Sequence, residues 1–300
     1  MIQLGYCCIN LSIPLSPNQG MIKRTFESKG IEYAGELAVA NIKNLIEIIK
    51  WNESKGIKVY RMSSNMFPWM SEYEITELPQ FDKIKNLLKG VGLLSIKYGQ
   101  RLGFHPGPFN QLGSVNDRVV KKTVKELNQS SQIMDLMNLP TSQLSHINIH
   151  VGNATNGKEE ATKRFCENFS LLDENTQKRL VVENDDKAGL YTTQELYDLV
   201  YKRIKTPITF DYLHHYCNPG ELSEKEAFEL AITTWPVKPC FHYSSSRKLN
   251  EDENSKLLAH ADYVYEFIND YNYDIDIEVE AKAKELAILK YIKGNQLIES

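Results

Sequence analysis

The sequence predicts an α/β protein of the TIM (β/α)8 barrel class, folded as a single domain over residues 1–300. Short apolar, β-branched runs alternate with amphipathic stretches about eight times along the chain. The crossovers between successive runs are short, which implies a parallel sheet, and eight such units can close into a barrel with no free edge. The first run continues as Gly5-Tyr6-Cys7-Cys8 and lacks the glycine-rich phosphate turn usual in a doubly wound open sheet. No linker, composition break or low-complexity segment divides the chain.

Strands are expected at Ile2–Cys7, Lys58–Ser63, Arg101–His105, His146–Val151, Arg179–Glu183, Pro207–Asp211, Lys238–Tyr243 and Asp274–Glu280. Helical periodicity fills the intervals. Ala34–Trp51 sets Leu37, Val39, Ala40, Ile42, Leu45, Ile46 and Ile49 largely on one stripe. Further helices are expected at Phe81–Tyr98, Val115–Met137, Gly157–Leu172, Thr193–Arg203, Ser223–Thr233, Glu251–Asn269 and Ala281–Ile292. Thr193 reads as a cap for the fifth of these eight helices, and Ser223 with Glu226 three residues on reads as a capping box.

Composition narrows the function classes. The chain is 42% hydrophobic and 25% charged with a net charge of -4. That balance suits a soluble globule with a large core and argues against indiscriminate coating of nucleic acid, while a local basic surface could still grip phosphates. The cysteines Cys7, Cys8, Cys166, Cys217 and Cys240 are odd in number and show no CxxC spacing. A disulfide framework is therefore not expected, and a reducing, intracellular setting is. A first strand at Ile2 leaves no room for a signal peptide, and no apolar run reaches the length of a membrane span.

The chemistry collects where strands end. His105, His150, His214, His242 and His260 lie at or just after the C-terminal ends of expected strands, as do Glu183, Asp211 and Glu280. Barrel enzymes build their active sites at that end, and a buried strand should not stop in unpaired charge unless a cation neutralises it. Period-two alternation puts His146, Asn148 and His150 on one face, so His150 at the top is a candidate ligand and His146 at the bottom a structural residue. Mixed imidazole and carboxylate donors suit Mn²⁺, Zn²⁺, Fe²⁺ or Co²⁺. Such a cluster could serve an in-line phosphodiester displacement, or a hydride shift in sugar isomerisation.

One set of motifs is more specific. Gly5-Tyr6 with Asn10, YRMSS (Tyr60–Ser64) followed by Pro68, GFHPG (Gly103–Gly107), HINIHVG (His146–Gly152), VVENDD (Val181–Asp186), FDYLHH (Phe210–His215), PCFHYSS (Pro239–Ser245), AHADY (Ala259–Tyr263) and EAKAKE (Glu280–Glu285) occur in that order. Together they resemble the UV-damage endonuclease (UVDE) family, TIM-barrel DNA-repair enzymes related to endonuclease IV. The resemblance runs from residue 2 to about residue 290. It implies nicking of DNA immediately 5′ to cyclobutane pyrimidine dimers and (6-4) photoproducts, leaving a 3′-hydroxyl. It implies two or three divalent ions, Mn²⁺ first, with Zn²⁺, Mg²⁺ or Co²⁺ as options. Carried over by position, the ligands are His105, His150, Glu183, Asp211, His214, His242, His260 and Glu280, with Glu183, Asp211, His242 and Glu280 catalytic. Tyr6, Asn10 and Phe109 would meet the damaged strand, the first two lining the pocket for extruded bases. His215 becomes a neighbour of the ligands rather than one of them. The implied partner is damaged double-stranded DNA, met by a monomer with no membrane and no obligate protein partner.

Three positions depart from the family pattern. Cys240 stands where a lysine is usual two residues before the HYS histidine, with Lys238 close by. Pro108 replaces the glutamine of the DNA-probing pair, leaving Phe109 as a wedge. Glu72 follows the YRMSS segment where a histidine is usual. An abasic-site endonuclease of the endonuclease IV type, a sugar isomerase on the same barrel, and a barrel that binds damaged DNA without cutting it are the alternatives.

Overall fold

The computed structural model describes residues 2–296. All eight expected strands form, each trimmed at one or both ends. They are β1 (Gln3–Cys7), β2 (Val59–Met62), β3 (Arg101–Phe104), β4 (Ile147–Ile149), β5 (Leu180–Glu183), β6 (Ile208–Thr209), β7 (Cys240–Tyr243) and β8 (Asp276–Val279). They lie in the order β6-β5-β4-β3-β2-β1-β8-β7, every pair parallel. The barrel closes between β6 and β7 through a parallel bridge of Asp211 with His242, where the His242 amide donates to the Phe210 carbonyl at 3.0 Å. Two expected ligands therefore sit on the closing seam.

Alternation sorts the strands into two environments. Ile147, Ile149, Val182, Ile208, Phe210, Phe241 and Ile277 are buried against the surrounding helices. Asn148, Glu183, Thr209, Asp211, His242 and Glu278 are buried on the lumen side. Phe228 of the helix Glu224–Ile232 packs edge-on against Phe210 and Phe241, with ring centroids 5.9 and 5.2 Å away. Each such ring contributes roughly 1.5–3 kcal/mol by its burial, and together they hold the seam strands in place.

Several helices differ from expectation. The first begins at Lys23, not near Ala34, and kinks at Gly30, whose φ of 63° glycine adopts without strain. Its early turns carry no continuous apolar stripe, which hides them from periodicity. The cap of the Thr193 helix is Thr192, which forms the capping box with Glu195; Ser223 and Glu226 form theirs as expected. That Thr193 helix passes through a π turn at Tyr197–Tyr201. The last helix begins at Glu285, because Ala281–Lys284 makes a turn with Lys284 at φ 53°.

The helix expected over Glu251–Asn269 does not form. A single turn of helix, Arg247–Asn250, precedes this stretch, and the chain over 251–269 runs irregularly. Its backbone groups go to tertiary partners: the Arg247 amide to the Ala259 carbonyl, the Ala261 amide to the Ser245 carbonyl. Leu257, Leu258, Tyr265 and Phe267 in this stretch are exposed. Among the described residues all five cysteines are free, and no helix is long and apolar enough to cross a membrane.

Arg179 anchors the foot of β5. Its wholly buried guanidinium reaches Asp135 Oδ1 at 2.7 Å, Ser131 Oγ at 2.7 Å and the Leu139 carbonyl at 3.2 Å. Arg179→Met leaves these acceptors without a donor, and each orphaned buried group costs about 1–3 kcal/mol. The variant is expected to lose about 3 kcal/mol of stability in urea unfolding; a loss below about 1 kcal/mol would show that the strap is dispensable.

Candidate metal centre

Glu183 is the hub of the mouth. It ends β5 and is 1% exposed. Its Oε2 lies 3.1 Å from His105 Nε2, 3.5 Å from His150 Nε2 and 3.2 Å from His242 Nδ1. Its Oε1 lies 3.1 Å from His214 Nδ1. The Asn148 amide, one step below on the same face of β4 as His150, donates to Oε2.

The remaining expected ligands surround this hub. Asp211 caps the short helix Tyr212–Cys217, its Oδ1 accepting the His214 amide at 2.7 Å. Its Oδ2 stays buried without a hydrogen-bond partner. Capping thus occupies one oxygen of the carboxylate and leaves the other as a candidate ligand atom. Glu280 Oε1 lies 3.3 Å from His242 Nδ1, and Arg61 donates to the same oxygen. His260 stands at the rim, its Nδ1 2.9 Å from the Glu280 carbonyl oxygen.

Charge follows from these contacts. Burial pushes Glu183 up, but His242, His150, His105 and His214 outweigh it and hold the carboxyl well below its usual range. Burial likewise opposes charge on His242 and His214, yet their carboxylate neighbours raise both well above an ordinary imidazole. On His105 burial prevails and lowers the ring's pKa. Burial also prevails on Asp211 and lifts it.

The donors fall into three overlapping groups, each with its ligand atoms within 4.8 Å of one another: His105 with His242 and Glu280, His105 with His150 and Glu183, and Glu183 with Asp211 and His214. Shared members would make any such sites adjacent. An unpartnered buried Asp211 oxygen beside imidazole and carboxylate donors is the arrangement a divalent cation would neutralise. The donor set therefore fits such ions, and it is free of thiolate.

The other expectations sort as follows. Phe109 is 89% exposed beside a cleft of about 470 Å³ lined by Pro108, Phe109, His150, Asp185, Lys187 and His214. Tyr6 and Asn10 do not face an open pocket in this conformation: they are 0% and 4% exposed. The Tyr6 hydroxyl donates to Asn52 at 2.7 Å and accepts from Asn10 at 2.8 Å, while Asn10 Oδ1 accepts the Ser12 amide at 2.9 Å. They brace the loop after β1. His215 packs against Phe210, ring centroids 5.3 Å apart, away from the cluster. Glu72 pairs with Lys122 at 2.6 Å on the surface. Lys238 meets Asp276 at 2.8 Å at the opposite end of the barrel and does not stand in for the missing lysine.

Four supporting residues escaped the sequence reading. Arg61 steadies Glu280, and Asn148 donates to Glu183. Asp185 Oδ1 lies 3.1 Å from His150 Nδ1, and the Asn184 side chain accepts the Asp211 amide at 2.8 Å. Only Asn148 carried a usable signal, because alternation had already placed it on the face of His150.

With this geometry in hand, the comparisons with known proteins decide the family. The family model described as UV-endonuclease UvdE matches residues 2–300. The chain belongs to the UvdE family. The crystal structure of SacUVDE superposes on it with a TM-score of 0.87 at 30% identity, covering 100% of this chain and 99% of that one. The UV-damage endonuclease of Schizosaccharomyces pombe is 31% identical over 88% of this chain, which spans 46% of that protein's length. The UV DNA damage endonuclease of Bacillus cereus strain 03BB102 is 32% identical over 84% of this chain and 80% of its own. UvdE membership supports UV-damage repair endonuclease activity, and neither the abasic-site enzyme nor the sugar isomerase is favoured.

Part of the mouth is held by Glu266, which accepts from Tyr243 at 2.9 Å, Asn250 at 2.8 Å and the Ser245 hydroxyl. Burial pushes this carboxyl up, but those hydrogen bonds outweigh it and hold it below its ordinary 4.5. A depressed carboxyl contributes stability above its unfolded value, lost as pH falls through the folded one. Glu266→Gln is therefore expected to speed amide exchange across residues 244–268 at pH 7. The difference from wild type should close as pH falls below the usual carboxylate range, while β3 to β5 exchange alike in both.

Proposed function

We propose that the chain nicks damaged double-stranded DNA immediately 5′ to cyclobutane pyrimidine dimers and (6-4) photoproducts, leaving a 3′-hydroxyl. Two or three divalent ions, Mn²⁺ first, would be held by His105, His150, Glu183, Asp211, His214, His242, His260 and Glu280. The observation that carries this reading is the set of three donor groups overlapping at His105 and Glu183 inside one barrel mouth. Such ions, when bound, neutralise phosphate charge and lower the pKa of water.

The chain's own residues supply the rest. Glu183, gripped by Asn148, keeps a full negative charge where the groups overlap. Arg61 and Asp185 hold Glu280 and His150 in place. Lys187, on the wall of the cleft, offers a cation to the DNA backbone. Phe109 projects from the cleft rim as an apolar wedge. A pyrimidine dimer is already poorly stacked, so its extrusion costs less than that of intact bases, and selectivity can arise without reading sequence. Tyr6 and Asn10 brace the loop after β1 and would act on the damaged strand through that loop. The protein acts as a monomer inside the cell, where its substrate is.

Purified protein with Mn²⁺ and a labelled duplex bearing one thymine dimer is expected to give a single incision 5′ to the lesion. Turnover of an abasic duplex without that incision would transfer the assignment to an abasic-site endonuclease, and binding without any cutting would leave a damage-binding barrel. Glu183→Gln should cut incision by on the order of 10³-fold, equivalent to about 4 kcal/mol of transition-state stabilisation, with duplex affinity retained. Phe109→Ala should instead weaken binding of the damaged duplex by about 1–3 kcal/mol in a filter or anisotropy titration, since that is the scale of one stacked aromatic. Equal binding would remove Phe109 from the damage contact.

A further inference from the structure

Glu278 is a carboxylate beneath the metal centre that the ligand set does not include. It is wholly buried, and the register of β7 against β8 sets it directly opposite His242. His242 turns its two nitrogens to opposite sides. Nδ1 lies 3.2 Å from Glu183 Oε2 and 3.3 Å from Glu280 Oε1, while Nε2 lies 3.2 Å from Glu278 Oε2. The other Glu278 oxygen is 3.2 Å from His146 Nε2, and Arg61 approaches Oε2 at 3.6 Å. Gly103 clears the space for His146, since a Cβ there would come within 2.6 Å of the imidazole.

We propose that Glu278 is a positioning residue of the centre: it holds the His242 ring by Nε2–H, so that the Nδ1 lone pair faces Glu183 and Glu280. This rests on the mouth being a divalent metal centre. An imidazole that ligates through one nitrogen keeps its proton on the other, and a carboxylate there selects the tautomer, stops the ring turning over and strengthens its basicity. Glu278 can do this because its own geometry is set from below and beside, by His146 and Arg61. His146, structural in the sequence reading, thus acts at one remove on a ligand. The Cys240 thiol and His146 also bring donor atoms within 4.8 Å of a Glu278 oxygen. That trio makes a poor separate ion site, because the His146 and His242 nitrogens already lie 3.2 Å from the two Glu278 oxygens and Arg61 lies 3.6 Å from one of them.

Calorimetric titration with Mn²⁺ alone, on the wild-type protein and on Glu278→Gln and Glu278→Leu, tests the assignment, with melting points of the ion-free proteins recorded alongside. Glu278→Gln is expected to weaken Mn²⁺ binding about 10–100-fold. Glu278→Leu should weaken it further, because the amide oxygen of Gln still accepts a hydrogen bond and Leu offers none. Equal affinity in all three, whatever happens to their melting points, overturns the positioning role while leaving the metal centre standing. A wild-type protein that binds no Mn²⁺ overturns the metal centre and this role together. Should Glu278→Gln fail to fold, His146→Gln loosens Glu278 from its far side and should lower affinity in the same direction, and unchanged affinity there also overturns the role. A thiolate-to-cobalt charge-transfer band in Co²⁺-loaded wild type that Cys240→Ser removes would put an ion on the Cys240 side of Glu278, and would overturn it too.

Discussion

A single buried carboxylate organises this barrel. Glu183 has almost no contact with solvent and stands among four imidazoles, each within 3.5 Å. Removing a carboxylate from water is costly unless partners compensate it, and here compensation comes from β3, β4, β6 and β7 at once. No local segment could supply it. The charge on Glu183 is therefore a property of the closed barrel, and the arrangement of the mouth depends on that closure.

The seam shows the same dependence. β6 is only two residues long, and β6 and β7 meet through the bridge of Asp211 with His242. The aromatic packing of Phe228 on Phe210 and Phe241 lies on the outer face of that seam. Apolar burial on the outside thus holds two candidate ligands, Asp211 and His242, together on the inside. Alternation makes this possible, since each apolar residue facing out puts its neighbour into the lumen.

Legibility varied with how local the cause was. All eight strands were readable because a buried parallel strand announces itself as a short apolar run with sharp ends. The imidazoles and carboxylates that gather around Glu183 were readable because charge at the end of such a run is conspicuous. Asp185 and Arg61 were not, because nothing in their neighbourhood says which side chain they meet. Residues 251–269 misled for a related reason: their spacing imitates a helical stripe, but their backbone is claimed by Ser245 and the Arg247 turn. The fold overrides local propensity where tertiary hydrogen bonds are stronger. Tyr6 shows the opposite limit, since its place in the motif order says nothing of whether its ring reaches the surface.

What the sequence determined by itself was the barrel, its eight strands and the end at which chemistry collects. These follow from patterns of one or two residues, which act wherever the chain goes. What only the tertiary structure decided was which groups share a proton, a ligand site or a partner. Glu183 and His242 are far apart in the chain, and their 3.2 Å contact exists only once β5 and β7 face each other across a closed lumen. The same holds for His146 beneath Glu278: its role was set by the residue it meets, and no periodicity in its own strand could name that residue.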